Sequence, residues 1–469
     1  MRRRAAAGLG AAALAAAAWP APAAAHGLVG RADLPIPSWL FGWAASVVLV
    51  VSFVALATLW SRPRLEEARE RPLFRVPRWV DPVCGAIGVA LFALVVYAGL
   101  HGTTEPGRNL APNLIYVHFW VGLVVASVLL GDVFRAFNPW RAAARGAGWV
   151  AARAGVASPV RRDYPERLGR WPAVATIAAF AWLELVYPEK ADPRILGWLC
   201  VAFLAAQLAA YAVFGVERWG DRGDGFSVYY NLFSRLAPLR RRDGVLHLRP
   251  PLCGAPRLPV AAGGVALLCV AIGTTTFDGF SNGPVWGSIN PDLQSFFKDL
   301  GLSATRAVEL SGTVGLIGCI LLVAGIYWLG VRGMTTVGRG HSTRELATRF
   351  AHTLTPIAFA YALAHYFSLL VYQGQSAGYL VSDPLGDGSN IFGTAHATID
   401  YGVISGRGIW YVQVGALVLG HVSGLILAHD RALTVYRRVR EATRSQYWML
   451  VVMVGFTSLG LWLLSAVRQ

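Results

Sequence analysis

Long runs of apolar residues alternate with short polar segments along almost the entire chain. Ten of these runs are long enough to cross a bilayer, since a hydrocarbon core about 30 Å thick takes roughly 20 residues of helix. The pattern predicts an all-α, polytopic membrane protein with spans at residues 38–60, 82–101, 114–134, 171–187, 196–215, 259–278, 309–330, 351–373, 408–428 and 447–466. No connecting segment is long enough to fold a soluble core of its own, so residues 26–469 are expected to form a single helical transmembrane domain.

The composition agrees with a membrane location. Hydrophobic residues make up 55% of the chain against 14% charged residues, and the 17 tryptophans suit rings that sit at the two membrane interfaces. Before the first span, residues 1–25 have a basic start, an Ala-rich stretch and a small-residue exit, which is typical of a cleaved secretory signal peptide. Its removal would leave His26 as the new amino terminus on the outer side.

The formal net charge of +16 follows the predicted topology. If the chain starts outside and crosses ten times, the inner loops hold 31 Lys and Arg residues, at 61–81, 135–170, 216–258, 331–350 and 429–446. Because basic residues concentrate in cytoplasmic loops, this bias predicts a cytoplasmic membrane with both mature termini outside. Basic clusters such as residues 240–242 are interpreted as orientation signals and contacts with anionic lipid, with no nucleic-acid partner.

Two aromatic, Pro-containing segments follow spans on the predicted inner side, at residues 133–140 and 229–238. Aromatic rings can face lipid while arginines face headgroups, so each segment is predicted to form a short helix lying in the interface.

Ionisable residues inside a bilayer are costly, so the few present here are candidate functional groups. Glu184 lies in the fourth predicted span, where no Lys or Arg at the same depth can pair with it. In the eighth span the polar residues recur on one helical face, at Tyr361, His365, Ser368, Tyr372 and Gln375. This stripe is expected either to line an outward-opening cavity or to bind neighbouring helices through hydrogen bonds.

His101 and His118 share the outer half of the membrane with Glu184 and His365. Imidazoles combined with a carboxylate suit Zn, Mn or Fe, and an open ligand position would let the metal acidify a water for attack on an ester. We therefore expect these four residues as metal ligands and Glu184, His365 and Tyr361 as catalytic groups, with structural hydrogen bonding as the alternative for each histidine. The substrate cavity is expected to be lined by Asp278, Ser368, Tyr372, Gln375, His396 and Asp400.

Several stretches of the chain resemble a known group of proteins: HGLVGRADLPIPSWLFGWAASVVLVVSFVALATLW from residue 26, GDVFRAFNPWRA from 131, HYFSLLVYQGQ from 365 and WYVQVGALVLGHVSGLILAHDRAL from 410. The likeness is to bacterial multi-pass membrane proteins that carry the name fenitrothion hydrolase. That resemblance implies hydrolysis of organophosphate esters, and it assigns no catalytic residue.

These observations predict an integral membrane protein that hydrolyses lipophilic, organophosphate-type esters with the help of a divalent metal. Its partners would be the lipid bilayer and a lipophilic small molecule, and the sequence does not define a second subunit. A membrane transporter or channel is the main alternative, and a non-catalytic metal-handling or assembly protein is another. The crowding of polar groups in the outer half disfavours transport mildly, because transport needs a route through both halves.

Overall fold

A computed structural model describes residues 38–155, 162–338 and 340–466, so the predicted leader and His26 lie outside the described residues. The described chain is mainly helical, which confirms the all-α, polytopic fold. Its elements are α1 (Ser38–Leu59), β1 (Arg71–Arg75), α2 (Val80–His101), α3 (Leu110–Leu130), α4 (Val133–Phe137), α5 (Pro139–Arg153), α6 (Trp171–Leu185), α7 (Pro193–Phe214), α8 (Val216–Arg222), α9 (Gly225–Ser234), β2 (Leu239–Arg242), β3 (Val245–Leu248), α10 (Gly264–Ser281), α11 (Pro284–Asp299), α12 (Ala304–Met334), α13 (Thr343–Phe350), α14 (Thr355–Tyr372), α15 (Ala377–Leu380), α16 (Gly406–Val435) and α17 (Val439–Ala466).

Eight helical segments in the described part of the chain are long and apolar enough to cross a membrane. They correspond to α1, α2, α3, α7, α10, α12, the α13–α15 segment and α16. The two other predicted spans are also helical. Of these, α17 has 28 residues, whereas α6 has only 15 and rises about 22 Å, less than the thickness of a hydrocarbon core.

Two helices form the centre of the bundle. In the most apolar stretch of α10, 78% of the residues are buried within the protein, and the figure for Thr343–Leu380, which contains α14, is 67%. In the other six candidate spans it is 22% to 44%, so those helices present much of their surface to lipid. α10 packs against α6, α12 and α14, and α14 also packs along α16. Polar side chains on α10 and α14 are therefore shielded by protein on most sides.

The predicted inner face carries structure of its own. β1, β3 and β2 form a three-stranded antiparallel sheet in that order, with Leu248 of β3 opposite both Arg71 and Leu239. Arg240 and Arg241 lie on β2, where Arg240 pairs with Glu70 at 2.9 Å and Arg241 pairs with Asp81. The basic cluster at residues 240–242 is thus part of a folded sheet that links the first inner loop to the third.

The segment predicted as an interfacial helix at residues 229–238 is buried instead. Helix α9 covers most of it, and Tyr229, Tyr230 and Phe233 are 4%, 0% and 1% exposed. Tyr229 stacks on Trp120 of α3 with ring centroids 5.0 Å apart. These aromatic side chains pack into the bundle rather than into headgroups, so that prediction is wrong for α9.

Candidate functional site

The buried pair of His365 and Asp278 is the centre of the candidate site. His365 lies on α14 and Asp278 lies near the end of α10, and Nε2 of the imidazole is 2.9 Å from Oδ2 of the carboxylate. The two residues are 5% and 4% exposed. A carboxylate at this distance orients the imidazole through a hydrogen bond.

A second carboxyl group lies beside this pair. Glu184 sits at the end of α6, is 8% exposed, and is close enough to Asp278 and Trp120 to interact with both. Tyr366 packs its ring edge-on against His365, with centroids 4.8 Å apart, and its hydroxyl reaches Asp278. We call Glu184, Asp278, His365 and Tyr366 the buried acid cluster.

Other groups surround Glu184. Tyr116 of α3 and Tyr229 of α9 lie near its carboxyl. The charge of Lys190, an exposed residue in the loop after α6, also reaches it. The sequence showed no basic residue within the span, and Lys190 supplies one from just beyond its outer end.

The close packing of α10 explains how residues so far apart in sequence meet. Gly273 of α10 has no side chain where it meets α12, and a Cβ there would come within 2.6 Å of the Ile320 backbone. The hydroxyls of Thr275 and Thr276 donate to backbone carbonyls one turn earlier in their own helix, so they need no partners on neighbouring helices. Asp278 differs from these threonines, because its carboxylate contacts His365 on α14.

The polar stripe on α14 divides into separate roles. The Tyr361 hydroxyl donates to the Phe456 carbonyl of α17 at 2.6 Å, and the Tyr372 hydroxyl donates to the Ile404 carbonyl at 2.9 Å. Gln375 exchanges two hydrogen bonds with the backbone of Asp400, at 2.9 and 3.1 Å. These three side chains therefore fasten α14 to α17 and to the outer loop.

Ser368 differs from its neighbours on the stripe. It is fully buried, and its hydroxyl has no hydrogen-bond partner among the described residues. The outer-loop residues expected in the cavity, His396 and Asp400, are exposed at the surface. The acid cluster itself is enclosed by helices, so the structure places it in the interior rather than at an open outer cavity.

The four residues expected to bind a metal do not assemble. No group of three or more His, Cys, Asp or Glu with the geometry to hold a metal ion occurs among the described residues. His101 is exposed at the end of α2 and packs on Tyr97, whereas His118 is half-buried in the π-helical part of α3. The four side chains therefore do not form a shared metal-binding group within the described part of the chain.

Two residues of this region did not stand out in the sequence. Tyr366 directly follows His365, but the stripe on α14 is defined by residues three and four apart, so the adjacent tyrosine fell on another face. His421 of α16 lies toward the inner half of the ninth predicted span, away from the outer histidines, where packing is the simplest interpretation of a lone histidine. In the structure its Nδ1 donates to the Leu417 carbonyl at 2.7 Å, while the buried Nε2 has no hydrogen-bond partner among the described residues.

The position of His421 connects it to the stripe. Its ring centroid is 6.0 Å from that of Tyr361, which lies one helical turn before His365 on α14. His365, Tyr361 and His421 therefore follow one another from the outer half of the bundle toward its middle.

Comparison of the chain with family models, with curated proteins and with solved structures found no match.

Proposed function

We propose that this membrane protein is a proton-coupled transporter that exchanges protons for a cation at the buried acid cluster. The observation that carries the proposal is the pair of carboxyl groups, Asp278 and Glu184, which share one enclosed site with a single imidazole. Carboxylates and histidines inside membrane spans commonly form proton relays in pumps and transporters.

The charge of the cluster gives the physical reason. When His365 and one carboxyl group form an ion pair and the other carboxyl is protonated, the net charge of the three groups is zero. Loss of one proton leaves a net charge of −1 in a region that excludes water, which is costly unless a positive charge replaces it. A cation that enters as a proton leaves would meet that requirement.

The buried imidazole of His421 supports transport over a purely external activity. The free lone pair of His421 Nε2 is buried near the middle of the bundle, which is a costly arrangement for an unpaired polar atom. A proton or a water molecule passing this position would satisfy it. His421 is thus a polar group on the inner side of the acid cluster.

Hydrolysis of a lipophilic ester is the second candidate. The imidazole held by Asp278 favours it, because a carboxylate-oriented histidine can take a proton from water as the water attacks phosphorus and an aryl oxide leaves. The resemblance to proteins named fenitrothion hydrolase suggests an aryl phosphotriester as the substrate. The enclosed position of the cluster is the feature that places this candidate second.

Everted membrane vesicles with an imposed pH gradient test the first candidate. Addition of a panel of monovalent, divalent and organic cations should dissipate the gradient for at least one class of cation in wild-type vesicles. Asp278→Asn and Glu184→Gln vesicles should lose that response, whereas Asp292→Asn, at an exposed carboxylate of α11, should keep it. Equal dissipation in wild-type and Asp278→Asn vesicles for every cation would contradict exchange.

Purified protein tests the second candidate in parallel. Release of p-nitrophenolate from a dialkyl p-nitrophenyl phosphate, lost in His365→Gln and insensitive to chelators, would establish hydrolysis by the pair. If wild type releases no more p-nitrophenolate than His365→Gln, hydrolysis by this pair is contradicted.

A further inference from the structure

A second polar site lies at the opposite end of the bundle, on the predicted inner face. A cavity of about 180 Å³ is formed where the segment before α6 meets the amino-terminal end of α10 and the turn between α13 and α14. Its lining includes three arginines and one histidine, at Arg170, Arg349, Arg431 and His352, and it includes no acidic residue. We call this the basic pocket.

Arg170 is the least compensated charge in the basic pocket. Its side chain is buried, at 7% exposure, and Nη1 of the guanidinium has no hydrogen-bond partner among the described residues. Burial lowers the pKa of Arg170 to about 10, so the group remains cationic at neutral pH. The backbone fixes this residue in place, because the Arg170 N–H donates to the Ala262 carbonyl at 2.7 Å.

The surroundings of Arg170 add positive charge. Burial, followed by the charges of Arg170 and Arg249, lowers the pKa of Arg235 to about 10. Arg349 and Arg431 differ from Arg170 because they pair with Glu345 and Glu66. His352 is 3% exposed, and its Nε2 has no partner among the described residues. Arg170 is thus the buried group of the pocket that can donate to an anion.

The start of α10 supplies further donors. The Gly264 N–H donates to the Ala261 carbonyl at 3.1 Å, but the N-cap residue is Gly263, with a φ of 77°, so no N-cap side chain satisfies the N–H groups that follow. The Nη1 of Arg170 lies 3.9 Å from the position that a Cβ on Gly264 would take. The guanidinium and the positive end of an 18-residue helix therefore face the same space, an arrangement that binds phosphate and sulfate in many proteins.

We propose that the basic pocket binds a phosphate group, held by Arg170 and the amino-terminal N–H groups of α10, and that its natural source is the headgroup of an anionic phospholipid. The rim favours a lipid. Val260 lines the pocket and is 67% exposed, and Trp171, which follows Arg170 at the start of α6, is 50% exposed. Apolar side chains at the ends of membrane helices can contact acyl chains. Basic pockets between membrane helices on the cytoplasmic side bind such headgroups.

Native mass spectrometry of the purified full-length protein tests the proposal. The protein is mixed in detergent with dioleoylphosphatidylglycerol or, as the zwitterionic comparison, dioleoylphosphatidylcholine. Wild type should retain phosphatidylglycerol in preference to phosphatidylcholine, and Arg170→Gln should lose that preference. Arg218→Gln is the matched control, since Arg218 is an exposed arginine of the same face whose Nη1 lies 2.6 Å from Asp163.

A second variant keeps the test decisive if Arg170→Gln does not fold. Val265→Phe fills the pocket and leaves all its arginines in place, so it should also lose the bound lipid. Thermal unfolding with inorganic phosphate distinguishes the two sources, because stabilisation of wild type by phosphate without lipid retention would identify free phosphate as the ligand. Equal lipid retention in wild type, Arg170→Gln and Val265→Phe, or no response to either probe in wild type, would overturn the site.

Discussion

At the scale of single residues, one buried carboxylate organises the inner face. Oδ2 of Asp224 accepts hydrogen bonds from Asn138, Trp140, Tyr211 and Ser227 at 2.7 to 2.8 Å, and the residue is fully buried. Its other oxygen caps α9 by accepting from the Ser227 N–H. Five donors from three parts of the chain thus meet at one side chain, which fixes α5, α7 and α9 relative to each other.

Replacement of this carboxylate should be strongly destabilising. Asp224→Ala leaves several buried donors unpaired, and each costs roughly 1–3 kcal/mol, so we expect a loss of about 3 kcal/mol or more in the free energy of unfolding. Equilibrium unfolding in detergent measures it. Asp243→Asn, at a largely exposed carboxylate in the β2–β3 turn, should change stability little. A similar, small effect of both substitutions would contradict the anchoring role of Asp224.

Glu217 gives a prediction for pH dependence. Burial acts to raise its pKa, but hydrogen bonds and charges from Arg145, Arg141 and Arg135 outweigh burial and lower the pKa to about 2. A lowered pKa means that the stabilisation is present above the unfolded-state value near 4.5 and is lost as the pH falls toward 2. Because the Glu217 side chain is 55% exposed, we expect Glu217→Gln to cost only about 1 kcal/mol at pH 7.

Thermal unfolding across the acid range measures this difference. The melting temperatures of wild type and Glu217→Gln should differ at pH 7 and converge as the pH approaches 2. A difference that stayed constant between these values would mean that the carboxylate charge is not the source of the stability.

At the scale of elements, small residues let α14 and α16 pack closely. A Cβ on Gly420 of α16 would lie 2.2 Å from Cβ of Ala360 and 2.9 Å from the Pro356 carbonyl oxygen. Small residues at such positions are a common means of association between membrane helices, because they let the backbones approach. This contact holds His421 beside Tyr361 and supports α14, which carries His365.

Gly420→Val should push these two helices apart. Since backbone atoms of α14 cannot move aside independently, we expect a loss of about 2 kcal/mol or more in stability, together with reduced function of the acid cluster. Gly415→Val on the same helix is the control, because nothing lies within 4 Å of the Cβ position there. Thermal unfolding of both variants measures the effect, and indistinguishable melting temperatures would refute close packing at Gly420.

The spans could be predicted because each crossing of a bilayer takes about 20 apolar residues, and such a run is visible in the sequence. The contacts between side chains of different helices could not be predicted in this way. Glu184, Asp278 and His365 share a depth that the sequence showed, but depth alone also placed His101 and His118 with them. The side on which each helix packs depends on contacts such as Gly273 against Ile320, which leave no periodic signal.

At the scale of the whole molecule, the distribution of arginines and the fold predict the same orientation. The three-stranded sheet, the Asp224 anchor and the Glu217 cluster all lie at one end of the bundle, together with the basic pocket. That end holds the loops rich in arginine, and the acid cluster lies toward the other end. The positive-inside bias therefore predicts the sheet in the cytoplasm and the long loop between α15 and α16 outside.

Labelling of single cysteines tests this orientation. In a background without the five native cysteines, Asn390→Cys should react with an impermeant thiol reagent in intact cells, and Arg241→Cys should react only after the membrane is opened. The reverse pattern would mean that the protein has the opposite orientation, with the acid cluster near the cytoplasmic side and the basic pocket outside.

The central claim is that Asp278 and His365 work as one unit in proton-coupled exchange, and a double-mutant cycle tests it most directly. Cation-induced dissipation of the pH gradient is measured in vesicles with wild type, Asp278→Asn, His365→Gln and the double variant, each at matched protein levels. The account predicts that each single substitution removes most of the response and that the double variant is no worse than either. Losses that add independently, or a single variant with wild-type exchange, would contradict it.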